Sequence, residues 1–212
     1  MTMRPENSPD GQRRSFIEEA RRRQILASAV EVLAEGGYAN ASLARIAKHA
    51  GISKGVISYH FDGKDDLMTQ VVIQLFVSGA EYMKPFVEAA DGSRNKLRAY
   101  IESNLAFIDA NRTFVAAMME VALNLRNADG ALTFINTGNE DDMIAPLVEL
   151  LTDGQRAGEF GEFDPTVTAK LIRDSIDGIA GRAVREPDFD VAAYTSALIR
   201  LFDAATANGG QP

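Results

Sequence analysis

Apolar residues recur at three- and four-residue intervals along most of this chain, which is the period of one face of a helix. Ile25, Leu26, Ala29, Val32 and Leu33 make the first stripe, and Gly36-Gly37 stops it. Leu43, Ile46, Ala47 and Ala50 make a second, shorter one. Gly51 follows at the place where a left-handed residue ends a helix at low cost. Ser53 then offers an N-cap hydroxyl to another short helix, whose Ile57 and Phe61 point inward. Two short helices joined by a three-residue turn containing glycine form a helix-turn-helix, which presents its second helix to a major groove.

The same period carries on downstream. Lys64 to about Lys84 reads as a longer helix, with Leu67, Met68, Val71, Val72, Leu75 and Phe76 on one face and Pro85 as its end or kink. Asp91-Gly92-Ser93 is a loop; Leu97, Ile101, Leu105 and Ile108 define the next helix, which Asn111 breaks. Phe114 to Leu125 is strongly apolar, and Asn124 to Glu140 is turn-rich, with Gly130, Asn136, Gly138 and Asn139. Pro146 to Ala157 reads as helix, with Pro146 at its first turn or at a kink. Asp164-Pro165 is a cap followed by proline at the first helical position; that helix runs to about Arg185, with Pro187 as its stop. Val191 to Ala207 forms the last, carrying Tyr194, Leu198, Leu201, Phe202 and Ala205. No alternating strand and no repeat stands out, so the fold class is all-α.

Charge sharpens the picture because it is unevenly divided. The net charge of −8 argues against nucleic acid, but residues 1–64 hold ten Lys/Arg against seven Asp/Glu, while residues 65–212 hold twelve against twenty-three. Screening limits the reach of distant acidic groups to about 8 Å at physiological salt, so a local basic face is what phosphates would meet. Arg13, Arg14 and Arg21-Arg22-Arg23 make the start of the chain basic, either as a solvated run or as an arm near phosphates. Residues 1–14 read as a disordered tail. The chain of 212 residues has no cysteine, and His49 and His60 lack any metal-ligand spacing, so neither a thiolate site nor a metal site is expected. Neither a signal sequence nor an apolar run long enough to span a membrane is present, which makes a cytoplasmic protein the expectation. Enzyme chemistry finds no support: Asp65-Asp66 and Asp141-Asp142 are adjacent carboxylates, and helix neighbours do not face each other. They read as helix-start charges.

The stretch from Ser42 to Lys64 resembles the N-terminal domain of the tetracycline-repressor (TetR) family of bacterial regulators. The resemblance rests on Ile46-Ala47, Ala50-Gly51-Ile52-Ser53-Lys54-Gly55, Tyr59-His60-Phe61, Lys64 and Leu67, with Gly36-Gly37-Tyr38 upstream. Many members carry Tyr where this chain has Ser58, and Gly63 replaces the usual Ser cap. Composition and the resemblance together give the expected organisation: a disordered tail (1–14), a helix-turn-helix DNA-binding domain (15–64), an effector-binding and dimerisation domain (65–207) and a flexible C-terminus (208–212).

The expected DNA-binding residues are Ser42, Arg45, Ser53, Lys54, Gly55, Val56, Ser58, Tyr59, His60 and Lys64. Lys54 can donate to guanine, Val56 can touch a thymine methyl and Ser58 can donate or accept; Ser42, Ser53, Tyr59, His60 and Lys64 suit phosphates. The downstream helices are rich in Met and Phe, which are ordinary core residues or the soft lining of a pocket. Asn104, Phe107, Ile108, Phe114, Met118, Met119, Met143, Arg173 and Asp177 are the effector-binding candidates, and Arg112 is a further polar one. For a homodimer through the last two helices, the expected face is Ile172, Ile176, Ile179, Ala183, Tyr194, Leu198, Leu201 and Phe202, with Gly178 and Gly181 permitting close approach. The implied function is a ligand-responsive transcriptional regulator, a repressor, that binds a near-palindromic operator as a dimer and is released by a small-molecule effector, with no cofactor. The alternative is a helical ligand-binding or protein-interaction protein with a vestigial DNA-binding module.

Overall fold

In the computed structural model, residues 9–134 and 140–208 are described, with side chains from 16 to 134 and from 143 to 208. Its helices are α1 (Pro9–Asn40), α2 (Leu43–His49), α3 (Lys54–His60), α4 (Lys64–Ala89), α5 (Gly92–Ala110), α6 (Arg112–Asn124), α7 (Glu140–Arg156), α8 (Pro165–Arg185) and α9 (Val191–Ala205). Among the described residues the only β-pairings are two isolated bridges, Arg126 with Leu132 and Phe160 with Ala207. The all-α reading holds.

Several ends differ from the periodicity. Helix α1 begins at Pro9, so residues 9–14 of the expected tail are helical backbone; proline suits a first helical turn, and from Gln12 on the residues favour a helix. Residues 1–8, the turn residues Asn136, Gly138 and Asn139, and residues 209–212 lie outside the described residues. Pro85 does not end α4, which continues to Ala89. Pro85 and Glu81, whose carbonyl loses its partner there, are both exposed, and water can serve that carbonyl. Helix α7 starts at Glu140, which leaves the exposed Pro146 inside it. At Asp164 the expected cap is present, its carboxylate accepting from the Thr166 and Val167 N–H groups at 2.9 and 3.0 Å. Ser53 sits at the N-cap position of α3 but its hydroxyl makes no capping bond, whereas Ser42 caps α2 through the Arg45 N–H at 3.2 Å.

Apolar side chains gather into two clusters. The first joins Ile25, Leu33, Ile46, Ile57 and Phe61 to Leu67, Met68, Val71 and Val72 of α4, to Ala117 and Val121 of α6 and to Leu125 just past its end. The second takes over at Leu75 and fills the space among α4 to α9. The boundary expected after residue 64 is therefore the first residue of a helix whose first two turns belong to the N-terminal core.

The structure divides the face expected for the dimer. Ile172, Ile176, Ile179 and Ala183 of α8 and Leu198 and Phe202 of α9 are buried inside the chain's own second cluster. Tyr194 and Leu201 do point outward, Leu201 being 60% exposed, and Val167 and Leu171 form the outward stripe of α8. The outer side of α8 is apolar only near its start and carries Asp174, Asp177 and Arg182 further on, while the β-branched Ile172, Ile176 and Ile179 fill the interior, where close packing rewards shape.

Polar contacts tie the far end of the second cluster. Arg98 of α5 grips Asp203 of α9 through two nitrogens, at 2.9 and 2.6 Å to one oxygen. Arg112 donates to the carbonyls of Ala183, Pro187 and Phe189, each at 3.0 Å, and so closes the C-terminus of α8 rather than facing a ligand. Near the end of α7, a Cβ on Gly154 would lie 2.2 Å from the Phe160 ring and 2.8 Å from Ser93. Gly154→Ala is therefore expected to lower stability by about 1–3 kcal/mol, the usual cost of overpacking, read as a lower urea midpoint at unchanged m-value.

Candidate nucleic-acid interface

Helix α3 is short, and it is held by burial rather than by propensity. Ile57 and Phe61 are buried on its inner side, and Gly51, in the left-handed region at φ 66°, turns the chain between α2 and α3. Helix α1 braces the far end: the Arg22 guanidinium lies 4.4 Å from the Phe61 ring centroid and donates to the His60 carbonyl. Gln24 donates to the Ala50 carbonyl at 2.9 Å. One arginine of the basic run in α1 is thus a structural brace.

The outer side carries most of the residues expected at DNA. Ser42, Arg45, Ser53, Lys54, Gly55, Ser58 and Tyr59 are exposed; Val56, His60 and Lys64 are half-buried. Tyr59 is 74% exposed, stands edge-on to the His60 ring and donates to Glu18 at 3.2 Å. Gly55 stands out on this face. Its φ is not left-handed, and an added Cβ would meet only the Ser53 hydroxyl, at 3.7 Å. Nothing inside the chain requires glycine there, although glycine weakens a helix by about 0.5–1 kcal/mol. A helix face kept bare is what close approach to a base edge would use.

Lys64 is tied more deeply than the sequence suggests. Its ammonium donates to the Tyr38 carbonyl at 2.8 Å and lies 4.1 Å from the centroid of the Tyr38 ring. Burial pushes it below the ordinary lysine range, and Asp65 only partly offsets that. Burial also raises the Tyr38 phenol, aided by the charge of Asp65 and a hydrogen bond to it. The Tyr38 N–H in turn donates to Glu120 of α6 at 2.9 Å. An ammonium has three donors, so a phosphate contact by Lys64 would add to this mount without dismantling it. Glu120 was missed by the sequence reading, and Tyr38 entered it only through the resemblance. The available signal was faint: a lone carboxylate in the otherwise apolar run from Phe114 to Leu123.

The effector candidates divide. Asn104, Phe107 and Ile108 are buried, and Phe114, Met118 and Met119 are half-buried against the second cluster. Phe114 and Met118 also pack against the first. Met143, 52% exposed, and Asp177, also exposed, lie at the surface. Arg173 is spoken for: burial opposes its charge, and Asp177, at 2.6 Å, with the Tyr100 hydroxyl more than offsets this, holding it above the ordinary arginine range.

With this geometry in view, comparison with known proteins defines the class. Residues 25–71 match the model of the bacterial regulatory proteins of the tetR family, so the N-terminal unit is similar to the helix-turn-helix domain of those regulators. The HTH-type transcriptional regulator BetI 1 of Chromohalobacter salexigens is 36% identical over 94 residues, a match spanning 44% of this chain and 46% of that protein. The chain thus spans about half the length of the BetI relatives it matches. The whole fold is TetR-like. The fatty acid degradation regulator FadR from Bacillus halodurans superposes with a TM-score of 0.73 at 23% identity, covering 89% of this chain and 98% of that one. FadR from Bacillus subtilis, in complex with stearoyl-CoA, gives 0.73 at 23% identity over 84% of this chain and 95% of that one.

Gly55→Ala separates the two uses of α3. It is expected to leave the fold intact or to stabilise it by up to about 1 kcal/mol. DNA affinity is expected to fall about tenfold, the loss of a contact or two. Fluorescence anisotropy on the target DNA and urea unfolding, run side by side, check the opposite signs.

Proposed function

We propose that this chain is a ligand-responsive transcriptional regulator, a repressor, that works in the cytoplasm as a dimer. The observation that carries the reading is the exposed outer face of α3, with Lys54, Gly55 and Ser58, standing on a buried mount of Ile57 and Phe61. In a two-fold dimer two such faces would enter successive major-groove turns, about 34–36 Å apart. Lys54 and Ser58 would meet base edges; Ser42, Arg45, Ser53, Tyr59, His60 and Lys64 would meet phosphates or position those that do. Among the described residues no helix is long and apolar enough to cross a membrane.

An effector held among α4 to α9 would act through α6, because Phe114 and Met118 touch both cores and Glu120 holds the Tyr38 N–H. A small displacement of α6 then moves the mount of α3. The effector shifts the reader only as far as its affinities for the two arrangements differ. Stearoyl-CoA, which Bacillus subtilis FadR binds, is the first effector to test.

DNA from upstream of the chain's own coding sequence should bind at least about a thousandfold more tightly than unrelated DNA at physiological salt, the lower end of the usual range of specificity. Stearoyl-CoA should weaken that complex. Equal binding to both DNAs would favour a helical ligand-binding protein with a vestigial reader.

The outward stripes of Val167 and Leu171 on α8 and of Tyr194 and Leu201 on α9 are the surface on which the dimer would form. Leu201→Glu should keep the helical circular-dichroism signal and give a monomer by light scattering, because an unpaired charge in an apolar interface is strongly unfavourable. A dimer that survived this change would move the interface elsewhere.

A further inference from the structure

Asparagine side chains on helices have an easy local partner, the carbonyl four residues back, and a buried one has most need of it. In this chain Asn40, Asn95, Asn111 and Asn124 all use it, each Nδ2 donating to residue i−4 at 2.8 or 2.9 Å. Its neighbour Ser103 bonds back in the same way to Ala99, at 2.6 Å, and the buried Thr206 bonds to Phe202, at 2.7 Å. Asn104 does not. It is 5% exposed, it sits on α5 within the second cluster between Ile101 and Ile108, and its Nδ2 has no hydrogen-bond partner. A buried amide nitrogen left without an acceptor is costly, and here the nitrogen does not use even the acceptor its own helix supplies.

We infer that Asn104 is the polar recognition point for a neutral hydrogen-bond acceptor, a carbonyl oxygen, carried by a long apolar effector. The inference rests on the regulator reading and names the chemistry of its ligand. The donor calls for an oxygen. The positive charge nearest that turn is already satisfied: Tyr100, one turn back along α5, bonds Arg173 of α8, which is also paired with Asp177, so a neutral carbonyl answers the demand better than a carboxylate. The surroundings call for an apolar body: Phe107 and Ile108 are buried, and Met118 and Met119 pack against the same cluster. Methionine side chains repack at low cost around an inserted chain. An acyl ester or thioester combines both parts, and the carbonyl oxygen would then accept from Asn104 while the alkyl chain displaces side-chain contacts toward α6.

The test uses the full chain, stearoyl-CoA, and S-octadecyl-CoA, a thioether that lacks only the carbonyl oxygen. Calorimetric titration of the unaltered protein should show the thioester binding about tenfold more tightly, the worth of one good hydrogen bond. Asn104→Leu should bind the two alike, and without ligand it should melt at a higher temperature than the unaltered protein, because it removes a buried donor. A structural role alone would not give tighter folding and weaker discrimination together. An unaltered protein that bound both probes equally, or a Leu variant that kept the preference or melted lower, would overturn the inference. The comparison in the unaltered protein needs no variant, so a Leu form that failed to fold would not shield it. If neither probe bound, the carbonyl assignment would fall. Specific binding to upstream DNA in the same preparation would show that the regulator reading stands without it.

Discussion

One residue ties the halves of this molecule together. Tyr38 follows Gly37, whose φ of 72° breaks α1, and is held on three sides by other helices. Its N–H goes to Glu120 of α6, its carbonyl to Lys64 at the first residue of α4, and its phenol to Asp65 beside it. The constraint reaches the glycine as well: a Cβ on Gly37 would stand 3.2 Å from the Glu120 carboxylate. The angle at which α1 meets α4 and α6 is fixed at this joint. So is the position of α2 and α3, which lean on α1 through Gln24 and Arg22. A partly buried charged hydrogen bond of this kind is stronger than a neutral one, and it cannot be exchanged for a solvent contact without moving α6.

Much of this was readable from residue patterns and some of it was not, and the division has physical causes. The reader unit could be read because its signals are local: Gly51 after a two-turn stripe, Ser42 as a working cap, Ile57 and Phe61 four apart. The stretch from α5 to α9 could be read as helices for the same reason, and Asp164-Pro165 marked its helix start to the residue. Helix faces were another matter. Along α8, Ile172 and Leu171 are neighbours in sequence, one buried and one exposed, and periodicity cannot tell which of two apolar stripes finds its own core and which finds another surface. Prolines left their choices open in the sequence. Pro85 and Pro146 lie on exposed sides where the lost backbone bond is tolerable, so neither ends its helix. Glu120 and Tyr38, 82 positions apart, meet through folding alone.

The reader helix shows a trade between stability and use. Seven residues make too short a helix to persist alone, and Gly55 weakens α3 further while nothing around it needs the space. Its hold comes from below, from Ile57 and Phe61, and from the arginine stacked on Phe61. A helix fastened only by its inner face leaves its outer face free of structural duties. Asn104 shows the same trade inside the second cluster, where an unmet donor is kept among side chains that could have packed more stably without it.

The two apolar clusters also bear on how such a chain can be taken apart. Ala117, Val121 and Leu125 close the core under α1 to α3, although they lie some fifty residues beyond Lys64. A chimera spliced after Lys64 would carry half of a hydrophobic core and none of its lid. The unit that can be inherited or transplanted intact is therefore discontinuous: the first four helices together with α6. Any new sensing region grafted between them must return its chain to that groove with matching side chains. The modularity suggested by the order of the helices along the sequence stops at their packing.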